Sequence, residues 1–361
     1  MNWLDLLHRW TGGLVGLILA ILGLTGAILV HPDAWIMLPH AGDARVTDVA
    51  ALADATQRIM GDAAKAPQSI LFANDDFGLN RLNFAKGAGA YSDQSGEIVT
   101  RWATQWERPE LWLFDLHHHL FTGDVGETVL GIAALCGLFF VISGIILWWR
   151  TRSTFKFRLW PKRMSRPSIV WQHRDLGIIM APVLLLSLYT GSGFVFRPMA
   201  GVILGPGTEA ALKAASKAPS YRPADLSPDF DWRGLVRTVH ARFPEAELRL
   251  INRGSRESGM VSVRVRQPEE WLPNGRTMLW FAADTGALIG ARDARDALTR
   301  ATIYNRFYPL HAAKVGGLAW RIVMTLSGLA LGMLGTLAVW TFWFKRPKAR
   351  PVPKRRVVAA T

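Results

Sequence analysis

The chain has 361 residues, half of them hydrophobic, a single cysteine and a formal net charge of +14. Its lone cysteine, Cys136, excludes an internal disulfide framework and a CxxC metal site. Residues 150–166 carry seven Lys/Arg and residues 345–361 seven more, with no acid in either, so these two pieces account for the whole excess. Each directly follows an apolar run, which reads as membrane topology and not as a nucleic-acid surface.

In chain order, four apolar runs are long enough to cross a bilayer, at 11–30, 128–149, 176–196 and 318–344. The first has no convincing cleavage site and reads as a retained anchor. The basic pieces place 151–170 and the tail 346–361 in the cytoplasm, with both chain termini, and put the two large loops outside. The expected divisions are helix one at 1–31, an external domain at 32–115, helix two at 116–150 and the basic loop at 151–170. Helix three at 171–197, a second external domain at 198–308, helix four at 309–345 and the tail follow. The loops have parallel patterns. A helical stretch (47–60; 231–243) precedes strand-like runs that end in hairpin signals, SDQSGE and ADTGA. The fold class is therefore an α-helical membrane protein of four transmembrane helices, arranged as two helix–loop–helix repeats with two small α+β external domains.

The duplication extends to the histidines. His8 to Thr25 is 17 residues, as is His173 to Thr190; His117 to Gly123 is six, as is His311 to Gly317. Seven of the nine histidines flank spans: His8 and His173 at the cytoplasmic ends, and His31, His117, His118, His119 and His311 at the external ends. Any one alone reads as an interfacial or capping residue. Four recurring at equivalent positions, each followed by glycines, read as ligands. Paired imidazoles from facing helices are a common way to hold haem. Topology pairs His8 with His173 and His117 with His311. His31 is the alternative ligand at the external site, and His118 and His119 project about 100° and 200° round a helix from His117. Zinc is the other reading, with His31, His117, His311 and Asp115 as its external donors. It explains one face, whereas paired haem explains both. Arg9 and Arg174, each following a histidine, are candidates to clamp haem propionates, as are Arg197 and Lys314 outside; simple anchoring of helix ends is the plainer role for each.

The motifs HRWTGG…LTG, LHHHLFTG…SGIILWW, QHRDLG…YTG and LHAAKVGG, with the loop endings YSDQSGEIV and FAADTGALI, resemble the PepSY-associated transmembrane family over nearly the whole chain. Its members include inner-membrane siderophore-iron reductases of the ferrioxamine type. The resemblance implies two b-type haems, ligands at His8, His117, His173 and His311, PepSY-like external domains, and reduction of a ferric siderophore in the periplasm of a bacterial inner-membrane protein. The chain has no Gly-rich dinucleotide loop, so a separate donor is expected, a quinol or a cytoplasmic reductase. The partners are then the siderophore, that donor and membrane lipid, with no nucleic acid. The alternative is a non-redox PepSY protein that regulates a peptidase or binds a metal chelate.

Overall fold

The computed structural model describes residues 3–344; the basic tail at 346–361 lies outside the described residues. In chain order, α1 (Trp3–Leu29) is followed by a single turn, α2 (Pro32–Trp35). The first external region comprises α3 (Val49–Met60), β1 (Ser69–Leu71), β2 (Asn80–Asn83), β3 (Gly89–Ser92) and β4 (Ile98–Trp102). Then come α4 (Pro109–His119), α5 (Asp124–Trp149) and α6 (Arg166–Val195). The second region opens with α7 (Arg197–Leu204) and α8 (Thr208–Ser216). It continues with α9 (Trp232–Arg242), β5 (Glu247–Asn252), β6 (Met260–Arg266), β7 (Thr277–Ala282) and β8 (Leu288–Arg292). The short helices α10 (Thr299–Asn305) and α11 (Phe307–His311) lead into α12 (Gly317–Trp343).

Four helices, α1, α5, α6 and α12, are long and apolar enough to cross a membrane. α1 and α6 begin well before the apolar runs at 11–30 and 176–196, because hydropathy marks only the part of a helix that meets lipid. His8 and His173 therefore sit inside these helices. The other two ligand candidates differ from expectation. His117 and His311 lie on α4 and α11, not at the ends of the spans that follow. Left-handed residues separate each short helix from its span: Leu120 (φ 48°), Phe121 (φ 62°) and Gly123 (φ 61°) in one half, Ala313 (φ 51°), Gly316 (φ 75°) and Gly317 (φ 58°) in the other. Leu, Phe and Ala are poor markers of such a turn, so sequence patterning runs straight through it.

The bundle is swapped between halves. α1 packs most closely on α12, and α5 on α6. Small residues permit the approach. A Cβ on Gly16 would stand 2.9 Å from the Gly335 carbonyl oxygen, and one on Gly328 would stand 2.5 Å from that of Gly23. The middle of the bundle is filled by Leu19, Leu184, Leu188, Ala330 and Leu334.

The two external regions do not close as separate domains. They share one eight-stranded antiparallel sheet of order β4-β3-β2-β1-β5-β6-β7-β8. The join is the β1–β5 pair, where Ile70 faces Ile251 and both are fully buried. A four-stranded sheet with one helix exposes an edge strand and has too little core to stand alone. Pairing edge to edge removes that edge and merges the cores. α3 and α9 pack together on one face, over Ile70, Leu82, Ile251, Val263 and Leu279. Arg249 on β5 is wholly buried, yet its guanidinium donates to the carbonyls of Ala73 and Pro273, tying the join to both halves. Arg321 at the head of α12 fastens the sheet to the bundle through Asp33 and Asp76, each at 2.8 Å.

Gly328→Leu should wedge α12 from α1 and cost about 1–3 kcal/mol. Gly201→Leu, where a side chain meets nothing within 4 Å, should cost almost nothing. Thermal unfolding in detergent compares them; equal midpoints would refute the close packing.

Candidate functional site

The structure brings the four recurring histidines together in two pairs. His8 on α1 and His173 on α6 have ring centroids 6.2 Å apart, with planes at 89°. His117 on α4 and His311 on α11 have centroids 6.4 Å apart, with planes at 54°. Two imidazoles bonded through one nitrogen each to a metal between them, at about 2 Å, hold their centroids roughly 6 Å apart. Each pair takes one ring from each half of the chain.

Three of the four rings are held by the same device. The Thr25 hydroxyl donates to the Ile21 carbonyl at 2.7 Å, so its oxygen is left to accept from Nδ1 of His117, also at 2.7 Å. In the second half, Thr190 donates to the Leu186 carbonyl at 2.7 Å and accepts from Nδ1 of His311 at 3.0 Å. Ser143 on α5 donates to Phe139 at 2.6 Å and accepts from Nδ1 of His8 at 2.8 Å. A hydroxyl whose proton is committed to a carbonyl can only accept. The ring proton is therefore on Nδ1, and Nε2 keeps its lone pair, the tautomer a metal ligand needs. The Ser187 carbonyl, 3.1 Å from Nδ1 of His311, reinforces that assignment. Among the described residues no such partner reaches His173.

The residue after each threonine is glycine for a steric reason. A Cβ on Gly26 would meet Cε1 of His117 at 3.2 Å, and one on Gly191 would meet Cε1 of His311 at 3.2 Å. The Thr-Gly pair thus supplies both the acceptor and the room. The sequence carried this signal in LTG and YTG, each 17 residues after a histidine. Thr25, Thr190 and Ser143 were nonetheless not foreseen as site residues, because a hydroxyl inside an apolar helix ordinarily bonds only its own backbone.

Beside His8 and His173 opens a cavity of about 600 Å³. Gly12 and Gly177, one turn beyond each histidine, line it, and a side chain at either would meet nothing within 4 Å. The Trp148 indole N–H also belongs to this wall and is buried without a hydrogen-bond partner among the described residues. Arg9 lies at the mouth. Arg174 lines the cavity too, but its guanidinium is committed to Asp175 (2.6 Å) and to Thr154 (2.6 Å), which pins the basic loop onto α6.

Of the remaining candidates, only His118 lies against a pair, with its ring 5.5 Å from that of His117. His31 bonds Thr325 on α12 through Nε2 at 2.8 Å. His118 stacks on Phe114 with centroids 4.0 Å apart, and His119 bonds Asp115 at 2.9 Å. Arg197 opens α7 and is exposed. Lys314 is paired with Asp76 at 3.4 Å. Among the described residues no three His, Cys, Asp or Glu side chains cluster to hold a metal ion, so His31, His117, His311 and Asp115 do not form the zinc site considered above.

Thr25→Val and Thr190→Val should weaken a metal centre at the His117–His311 pair about 10–100-fold, while Thr→Ser should preserve it. Elemental analysis for bound metal is the check; unchanged content in both valine variants would sink the tautomer argument.

No curated protein matches the chain. Residues 6–346 match the PepSY-associated TM region family. With four spans and that match across nearly its whole length, the chain is a multi-pass membrane protein and belongs to the PepSY-associated TM region family.

Proposed function

We propose that the protein is a transmembrane di-haem reductase that passes electrons from a cytoplasmic-side donor to the periplasm, where a ferric siderophore is reduced and Fe(II) released. The observation that carries this reading is the two histidine pairs, one ring from each half, at a separation that would suit one metal between two imidazoles. A b-type haem at each pair would supply one-electron iron chemistry.

At the His8–His173 pair the residues present fit such a group. Gly12 and Gly177 leave a flat space beside His8 and His173, and the buried Trp148 N–H, which has no partner among the described residues, suits a carboxylate. Arg9 at the cavity mouth offers a second donor for that carboxylate. Arg174, spent on Asp175 and Thr154, fastens the basic loop to α6 and is not free to hold that carboxylate. Ser143, Thr25 and Thr190 hold ring protons on Nδ1. Leu19, Leu184, Leu188 and Leu334 keep water out between the two pairs. Along α1 the 17 residues from His8 to Thr25 amount to about 25 Å, so the pairs divide the bilayer between them.

The seven Lys/Arg of the 150–166 loop support a cytoplasmic His8–His173 end, with the sheet in the periplasm of a bacterial inner membrane. Fe(II) is a weaker match than Fe(III) for hard oxygen chelators, so reduction loosens the chelate. The electron donor is a separate molecule.

Protein purified in detergent should show a Soret band and a sharp reduced α band, with about two haems per chain. His8→Ala and His311→Ala should each remove about one of them. Gly12→Leu and Gly177→Leu should each empty the first pair and leave the haem at the second in place. A colourless protein from haem-replete cells would overturn the proposal.

The dithionite-reduced protein should be reoxidised by a ferric siderophore. Failure to reoxidise would leave a di-haem protein without this substrate.

A further inference from the structure

The lower face of the sheet, turned away from α3 and α9, differs between the halves. In the first half it is covered. Leu79, Tyr91 and Trp102 pack there against Leu38, Phe77 and Leu111. The cover is locked by Arg108, which pairs with the buried Glu110 at 2.7 Å. In the second half the same face carries cations. Val263 and Leu279 are paired across β6 and β7 and point into the core, so the alternating residues Arg264, Met278 and Trp280 point the other way. Met278 is paired with Arg264 on one side and Arg292 on the other, giving a row across three strands. Arg276 immediately precedes β7 in the same phase.

These cations have little to satisfy them. Among the described residues, Arg264, Arg276, Arg292 and Arg197 form no ion pair with a carboxylate. Nε of Arg264 is buried without a hydrogen-bond partner. Arg292 lies over the Trp280 ring at 5.1 Å and gives one N–H to the Lys217 carbonyl. The nearby carboxylate, Glu270, is taken up by the backbone N–H groups of Gln267 and Arg276. Burial, then the neighbouring Arg276 charge, lowers both Arg264 and Arg292 from their ordinary values, though a guanidinium remains charged. Gathering like charges without counter-charge is costly unless an anion completes the set.

The patch borders α10. Tyr304 on α10, near Arg276 and Arg197, donates its hydroxyl to the Gly193 carbonyl on α6 at 3.3 Å. Gly193 lies three residues beyond Thr190, which holds His311. The exposed Trp271, with Arg306 over its ring at 4.8 Å, flanks the same region.

We infer that this face binds ferric chelates of net negative charge, of the catecholate or carboxylate kind, in preference to neutral hydroxamates. The inference rests on the reductase reading for its purpose. Arginine forks bind anionic oxygens by paired N–H donation, and Trp271 and the guanidinium planes give flat catecholate rings a stacking surface. A trihydroxamate balances the ferric charge and offers arginine nothing to neutralise. A lipid headgroup is the lesser fit, because the indoles of Trp280 and Trp271, each under a guanidinium, suit a flat aromatic chelate and not a headgroup.

The test uses the full chain in detergent and redox-silent gallium(III) complexes of a tricatecholate and of a neutral trihydroxamate, titrated by calorimetry. The tricatecholate should bind at least about tenfold tighter, with affinity falling as salt rises. Arg264→Gln and Arg276→Gln should each weaken it about tenfold and leave the trihydroxamate unaffected. Arg276 is exposed, so its variant reports even if the Arg264 variant fails to fold. Equal binding of the two complexes overturns the inference, as does full affinity in Arg276→Gln. Loss of the Soret band in that variant would assign the arginine to the cofactor and also overturn it. Displacement of the tricatecholate by phosphatidylglycerol nanodiscs, with none by phosphatidylcholine ones, would make the face a lipid site and overturn it too. Gallium binding needs no electron, so a colourless protein that still prefers the tricatecholate refutes the reductase reading and keeps this one.

Discussion

The hydrogen bond from an imidazole Nδ1 to a helix hydroxyl is the interaction on which the rest of the architecture turns. It works only if the hydroxyl proton is already spent on a backbone carbonyl, as it is for Thr25, Thr190 and Ser143. It also requires the histidine to come within about 3 Å of the helix surface. That distance dictates Gly26 and Gly191, since a methyl group there would crowd Cε1. It dictates a separate helix for His117 and for His311 as well. Each ring must lie against α1 or α6 at the level of a threonine while its own chain turns into another span. The left-handed residues after α4 and α11 make that turn. Their strain, about 1–2 kcal/mol for each non-glycine residue, is sustained because packing on both sides over-determines the conformation.

Neither half can hold a histidine pair alone. Each pair needs one ring from each repeat, and each repeat supplies one ring to each pair. The halves must therefore be held in fixed register along their whole length. Two contacts do this at different heights. Glycine-mediated packing of α1 on α12 and of α5 on α6 crosses the repeat boundary inside the bundle. The β1–β5 pair crosses it again in the sheet, with Arg249 donating to carbonyls on either side. The β1–β5 pair covers only three residues on each strand. Its strength comes from the merged core beneath α3 and α9, where Ile70 and Ile251 are fully buried.

Much of this was legible in the residues. Apolar length and basic flanks gave the four spans, and alternation with Gly turns gave every strand, because lipid burial and strand pleating both imprint a period on sequence. The 17-residue repeat from histidine to threonine singled out His8 and His173, and the six-residue repeat from histidine to glycine singled out His117 and His311, the four that the structure pairs. Three features were not legible. The merged sheet was hidden because β1 is only three residues long and its partner is far away in the chain. The break before α5 was hidden because Leu120 and Phe121 read as membrane residues. The commitment of Arg174 was hidden because it depends on Asp175 and on Thr154 across a loop. In each case the deciding contact is non-local, or contradicts the local preference of the residue that makes it.

The triple histidine shows how a local cluster is resolved by its surroundings. Successive residues on a helix are about 100° apart, so three adjacent rings cannot share one partner. His117 alone faces α1 and takes the Thr25 hydroxyl. His118 and His119 each turn back one helical turn, onto Phe114 and Asp115 respectively, and Asp115 is itself held by Gln105 at 2.9 Å. Both rings thus brace the last turn of α4 immediately before Leu120 leaves the helix, and the His118 ring also lies edge-on to His117 with centroids 5.5 Å apart. α11 has no such neighbours after His311, and its counterpart brace comes from outside. The Trp320 indole donates to the Leu310 carbonyl at 2.9 Å, and Arg306 lies over Trp271. The two halves meet the same demand, a rigid turn that aims one imidazole, by different side chains, which is why one motif carries three histidines and the other carries one.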